Sequence, residues 1–226
     1  DGSFFLWPGL NRFAGIDVGL ESTPAFVDLD GDGDLDVVVG DSLGTLTSFR
    51  NGTDGTAGNF AAWVGTDPFD GIDVGAYSGP SFIDLDGDGD LDAVVGEEDG
   101  ILTSFRNGTD GTAGSFAAWV GTDLFAGIDV GTFSKPNFVD LDGDGDLDAV
   151  VGTYTGTLVS FRNGTDGTSG SFAAWTGTDL FAGIDVGFYA NPDFIDLDSD
   201  GDLDAVVGNG DGDFDSFRNG TDGTSG

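Results

Sequence analysis

A nine-residue acidic segment, Asp28-Leu29-Asp30-Gly31-Asp32-Gly33-Asp34-Leu35-Asp36, recurs at 84–92, 140–148 and 196–204, each time 56 residues further on. A fixed period of this length confines the chain to repeat architectures, in which each period buries its apolar face only against its neighbours. Four periods span nearly all of the 226 residues, so residues 1–226 are expected to form a single domain of four tandem units.

Within a period the pattern is one of strands. In the second copy, Pro80–Leu85 alternates after a proline, and Leu91–Gly96 is a β-branched run ending in glycine. Gly100–Arg106 alternates again, and Phe116–Val120 follows a turn rich in Gly, Thr and Asp. No segment has sustained helical periodicity. Four short strands per period predict an all-β fold: a β-propeller of four 56-residue, four-stranded blades. Residues 3–13 align one period upstream of 59–69, so the chain opens on an outermost strand, and it ends where the last copy would need one. The N-terminal strand is therefore expected to complete the last blade and close the ring, hiding an edge that would otherwise invite pairing. The alternative is that it completes a neighbouring molecule's blade and builds a chain of subunits. Asp1 is not a start residue and no signal peptide precedes it, which implies a processed or trimmed N-terminus.

Composition bounds the partners. Gly 42 and Asp+Glu 42 would favour disorder, but Phe 20, Trp 4 and the Val/Ile/Leu runs supply a core. A net charge of −36 with six basic residues argues against nucleic acid and anionic membranes, and favours cations or a saline medium. No apolar stretch approaches the roughly 18 residues of a spanning helix, so no membrane insertion is expected. With Cys 0 and His 0, disulfides, thiol catalysis and histidine-based zinc sites are excluded.

Each acidic loop places Asp at positions 1, 3, 5 and 9, with Gly at 6 for the sharp turn and the backbone carbonyl of another Asp at 7. In the first copy these are Asp28, Asp30, Asp32, Asp36 and Asp34; in the second, Asp84, Asp86, Asp88, Asp92 and Asp90. The third has Asp140, Asp142, Asp144, Asp148 and Asp146, and the fourth Asp196, Asp198, Asp200, Asp204 and Asp202, with Ser199 in place of a spacer glycine. A tight loop turns alternate side chains inward so that their oxygens converge. Calcium takes about six to eight such oxygens in irregular geometry, whereas magnesium demands a strict octahedron and keeps its waters. About four Ca²⁺ per chain, of similar affinity, are expected, and part of the binding energy should be folding energy because the empty carboxylates repel one another.

The stretch Thr23–Gly40 followed by Gly44–Asn51, repeated in all four copies, resembles the FG-GAP/VCBS repeat of integrin-α-type β-propellers. The resemblance implies a blade with Ca²⁺ in the loop joining its first two strands, and roles in adhesion, lectin-like binding or scaffolding. Integrin-type heads have seven blades, against four copies here.

Other repeated residues admit two readings each. Asn51, Asn107, Asn163 and Asn219 each open an Asn-Gly-Thr glycosylation pattern, but Asn-Gly is also a favoured turn dipeptide, and the turn is preferred. Arg50, Arg106, Arg162 and Arg218 close the third strand; ion pairs with Asp17, Asp73, Asp129 and Asp185 are expected in preference to an anion-binding ring. Trp7, Trp63, Trp119 and Trp175, with Phe26, Phe82, Phe138 and Phe194, read as packing residues. The copies differ most in the blade-to-blade connections and in the turns between second and third strands, which should share the face opposite the acidic loops. Tyr77, Phe133, Tyr154 and Tyr189 are the candidates there for contact with a glycan or protein ligand, or else they plug a narrow channel.

These readings converge on a non-enzymatic, extracellular, calcium-binding propeller serving as a binding or adhesion module. Without His or Cys, and with the carboxylates committed to metal, no catalytic residue is expected. The alternatives are a structural subunit that self-associates into a ring or filament, and a carbohydrate-binding lectin.

Overall fold

A computed structural model describes residues 11–52, 60–108, 116–119, 123–164, 172–175 and 179–220. The first unit consists of β1 (Thr23–Val27), β2 (Asp36–Gly40), β3 (Leu46–Asn51) and β4 (Phe60–Ala62). The second repeats this as β5 (Gly79–Ile83), β6 (Asp92–Gly96), β7 (Leu102–Asn107) and β8 (Phe116–Ala118), and the third as β9 (Lys135–Val139), β10 (Asp148–Gly152), β11 (Leu158–Asn163) and β12 (Phe172–Ala174). The fourth has β13 (Asn191–Ile195), β14 (Asp204–Gly208) and β15 (Phe214–Phe217). Each unit is an antiparallel up-and-down sheet in chain order, and no helix occurs among the described residues. The four sheets succeed one another around an axis with β1, β5, β9 and β13 innermost, which makes a four-bladed β-propeller.

In the two middle blades the second strand is the most buried, because it has a neighbouring strand on each side and a neighbouring blade on each face. Val94 and Val150 are completely buried, each contributing about 1.5–3 kcal/mol of apolar burial. The register places Ser104 opposite Val94 and Ser81 on its other side. Strand limits differ from the sequence pattern by one or two residues: Leu85 lies in the acidic loop rather than in β5, and β8 stops at Ala118. The apolar character of Leu85 comes from its packing beneath the loop, in the core between the second and third blades.

Three such cores join successive blades. Trp63 and Trp119 pack against the first two, as do Phe82 and Phe138, while Phe194 packs against the third. Phe26 departs from its expected core role and is half exposed, since no blade among the described residues covers it. Of the expected strand at 3–13, residues 3–10 with Trp7 lie outside the described residues, as does its closure of the ring, and residues 11–13 are not in a strand.

Glycine permits the closest approaches between blades. Gly100 has φ +82°, and a Cβ there would strike the Gly131 carbonyl of the next connection; the Gly100 carbonyl in turn accepts the Val130 N–H at 3.0 Å. The turn between second and third strands is stapled by four different residues. Asp41 and Glu97 accept N–H bonds from Leu43 and Thr45, and from Asp99 and Ile101. Asn209 does the same for Asp211 and Asp213, and Thr153 bonds Thr157 instead. Variation at these positions is therefore four solutions to one turn.

Candidate metal centres

The acidic loops run between the first and second strands of every blade, on the face opposite the blade connections. Each loop is folded by its own carboxylates. Asp28 accepts the N–H groups of Gly31 and Gly33, both at 2.9 Å, one on each oxygen, and Asp84, Asp140 and Asp196 repeat the arrangement. Asp32 accepts the Asp34 N–H at 3.0 Å. Gly31 and Gly33 take φ of +71° and +92°, and Ser199 adopts +65° where the other copies have glycine. A non-glycine residue in this region is uncommon and costs of order 1 kcal/mol.

Positions 1, 3 and 9 bring one carboxylate oxygen each within 4.8 Å of one another in three loops: Asp84, Asp86 and Asp92; Asp140, Asp142 and Asp148; Asp196, Asp198 and Asp204. In the first loop Asp28, Asp30 and Asp32 form the corresponding group. The position-9 carboxylates have a second role that the spacing did not reveal. Asp36 accepts the Leu29 N–H at 3.1 Å on one oxygen and the Asn51 N–H at 2.7 Å on the other, tying the start of the loop to the end of β3. Asp92, Asp148 and Asp204 do the same.

Burial is the leading influence on the raised carboxyls of these loops. Burial pushes the Asp36 and Asp92 carboxyls up to about 6, against the opposing N–H bonds of Asn51 and Leu29, and of Asn107 and Leu85. Burial also raises Asp148, Asp30 and Asp86. Position 5 is different: the N–H of Asp34, Asp146 or Asp202, together with an arginine, holds Asp32, Asp144 and Asp200 below the usual carboxylate range. At position 7, one carboxylate oxygen (Oδ2) of Asp90 and of Asp202 is buried with no hydrogen-bond partner among the described residues. Buried polar atoms are nearly always satisfied. A cluster of hard oxygens, three within 4.8 Å in each loop, fits a hard divalent cation, and the loop carboxylates at positions 1, 3, 5, 7 and 9 are the residues that would hold it.

The arginines correct the expected pairing. Arg50 forms ion pairs with Asp30 at 2.5 Å and Asp32 at 3.2 Å, in the loop of its own blade. Arg106, Arg162 and Arg218 bind positions 3 and 5 of theirs in the same way. Asp17, Asp73, Asp129 and Asp185 instead close turns, each accepting the N–H two residues on, from Gly19, Gly75, Gly131 and Gly187. The Asp-x-Gly spacing carried that signal. At the sequons, the Asn51, Asn107 and Asn163 amides donate to the carbonyls of Leu35, Leu91 and Leu147; the threonines of those motifs lie outside the described residues.

On the opposite face, Tyr77, Phe133, Tyr154 and Tyr189 are brought together. Tyr77 and Phe133 are 4.7 Å apart, Phe133 and Tyr189 5.1 Å, and Tyr154 and Tyr189 4.9 Å, mostly edge to face. Glu21, Tyr77, Phe133 and Tyr189 occupy equivalent positions, all with φ of 57–59°. Tyr77, Phe133 and Tyr189, with Glu21 and Lys135, line a cavity of about 490 Å³ at the mouth of the axial channel. Sequence reasoning missed Lys135. It replaces Thr23, Gly79 and Asn191 of the other blades and reaches across the axis to donate to Thr23 Oγ1 at 3.0 Å. Burial lowers its ammonium to about 8.

With the blades and loops established, the chain belongs to the FG-GAP-like repeat family, whose model matches residues 28–95 and again 84–151. Among solved structures, the Tc holotoxin pore of Photorhabdus luminescens is similar at a TM-score of 0.44 and 17% identity over 85% of this chain. The chain spans only 11% of the length of that one. No curated protein matches.

Proposed function

We propose that the chain is a calcium-loaded, non-enzymatic propeller that acts as a binding or adhesion module outside the cell. The observation that carries this reading is the convergent carboxylate cluster in the acidic loop of every blade. When bound, Ca²⁺ supplies the positive charge that these carboxylates lack and fixes the loop against the end of the third strand. Exposed loop sites of this kind fill at extracellular calcium and stay empty in resting cytosol, which supports a secreted or cell-surface location. Equilibrium dialysis is expected to find about four Ca²⁺ per chain, and fewer than three would contradict the proposal.

A ligand role for the opposite face is supported by its strained aromatics. Bulky residues at φ near 59° are costly, and such strain is retained where side chains must be held in place. Tyr77, Phe133, Tyr154 and Tyr189 beside Glu21 form a wall suited to stacking on a sugar ring or a protein side chain. Selective retention on a glycan array, lost in Tyr189→Ala, would mark a lectin; retention unchanged by that substitution would exclude this surface.

A further inference from the structure

Every internal junction between blades uses the same two faces. The outgoing face carries Val27, Leu29, Val38 and Leu46 in the first blade and Ile83, Leu85, Val94 and Leu102 in the second, none more than 6% exposed. The incoming face of the next blade presents a phenylalanine triad. At the first junction Phe69 stacks on Phe116 at 4.3 Å and meets Phe82 edge-on at 6.2 Å. The outgoing quartet of the first blade shares one core cluster with Phe69, Phe116, Ala93 and Val95 of the incoming side.

Both faces recur with no further blade against them among the described residues, although Val37 and Val39 of the first blade are already buried in a small core with Phe49. On the fourth blade the outgoing positions are Ile195, Leu197, Val206 and Phe214, and three of them are 54%, 53% and 78% exposed (Ile195, Leu197 and Phe214). On the first blade the incoming triad is already formed, with Phe13 stacked on Phe60 at 4.5 Å and edge-on to Phe26 at 6.5 Å. Yet Phe26 is 51% exposed. Phe13, Ile16, Val18, Phe26, Val37 and Val39 enclose an open cavity of about 320 Å³. Their equivalents at the first junction, Phe69, Ile72, Val74, Phe82, Ala93 and Val95, are packed in one core with the outgoing quartet. Among the described residues no apolar core joins the two faces, and Ser22 and Thr23 of the first blade and Gly208 and Phe214 of the fourth line the same cavities.

We propose that the fourth blade's outgoing face docks on the first blade's incoming face of a second copy of this chain. Protomers then join head to tail through a fourth example of a junction the chain already makes three times. The complementarity is residue for residue, because every residue on either bare face has a packed counterpart 56 residues away. Such a heterologous contact runs on into a ring or a filament. The net charge of −36 opposes it, so association strengthens as salt screens the repulsion.

The test is light scattering behind size exclusion, across a wide concentration series at physiological and high salt, with calcium present. The wild-type chain is expected to give multiples of 23.0 kDa that grow with concentration and salt. Phe214→Asp removes the outgoing face and Phe26→Asp the incoming one, each by placing a carboxylate in an apolar junction, and each should weaken association roughly a hundred-fold or more. Each variant alone is then monomeric. An equimolar mixture gives a capped one-to-one dimer, because Phe26→Asp keeps its outgoing face and Phe214→Asp its incoming one. Both residues are exposed, and unchanged circular dichroism and melting confirm folding; Ile195→Asp serves as a second outgoing-face variant. A wild-type chain at 23.0 kDa under all conditions would overturn the proposal. Association surviving both variants, or a mixture that stays monomeric, would overturn it too.

Discussion

Substituting Lys135 by methionine should stabilise the protein at neutral pH, and the gain should fade as pH rises. The Lys135 Nζ donates to Thr23 Oγ1 at 3.0 Å and approaches the carbonyls of Ser78 and Tyr77 at 3.4 and 3.5 Å. Among the described residues no carboxylate lies within ion-pair distance of it, and Glu21 exerts only a weaker opposing pull. Burial moves the ammonium from 10.5 to about 8. Each pKa unit is worth about 1.4 kcal/mol, so holding the charged form in the fold costs about 3 kcal/mol. The unfolded chain binds this proton more tightly, so the cost is fully present below about pH 8 and disappears as pH rises towards 10.5. Methionine keeps the apolar stem but gives up the bond from the charged ammonium to Thr23, worth about 1.5 kcal/mol. The variant is thus expected to be about 1.5 kcal/mol more stable at pH 7, and no more stable than wild type near the top of that window. Urea titrations of both proteins at pH 7 and at mildly alkaline pH measure this. A stability difference that does not change with pH, or a variant less stable at pH 7, would refute the argument that the buried charge costs stability.

Three further outcomes follow from the loops and turns. Asp148→Ala leaves the Leu141 and Asn163 N–H groups without their acceptor and should cost about 3 kcal/mol; because the bonds are protein–protein, the loss should persist in a chelator, as thermal melts with and without calcium would reveal. Gly156→Ala meets the Gly187 carbonyl at φ +83°, whereas Gly183→Ala at +88° has open space around it, so paired urea titrations should give about 3 kcal/mol for the first and about 1 kcal/mol for the second. Chelating calcium from protein held at a hundred times the dissociation constant removes about 2.7 kcal/mol per filled site, which for a chain of this size lowers the melting temperature by roughly 5–10 °C per site; calorimetry in calcium and in chelator reads the shift.

What was legible in the sequence is what repeats locally. The 56-residue period fixed the number of blades. The alternation in Gly100–Arg106 and the β-branched Leu91–Gly96 run announced β7 and β6 to within two residues. The acidic loops were readable because their ligands lie within nine residues of one another. Contacts set by sheet register were not readable. Arg50 meets Asp32 only because β3 returns alongside β2, 18 residues later. Asp36 likewise reaches the Asn51 N–H through strand pairing, so its bracing of the fold was hidden behind its place in the loop pattern. Lys135 looked like one variable residue among several, since its burial depends on four inner strands meeting at an axis. Phe26 looked like its three counterparts, and its exposure reflects the lack of a covering blade among the described residues rather than anything local.

The most direct test of the account is a crystal structure grown in calcium, with an anomalous difference map calculated over the whole chain. The account predicts four peaks, one in each loop, among the carboxylates at positions 1, 3, 5, 7 and 9. Empty loops that keep the same fold in millimolar calcium would contradict it, as would ions bound only elsewhere on the acidic surface.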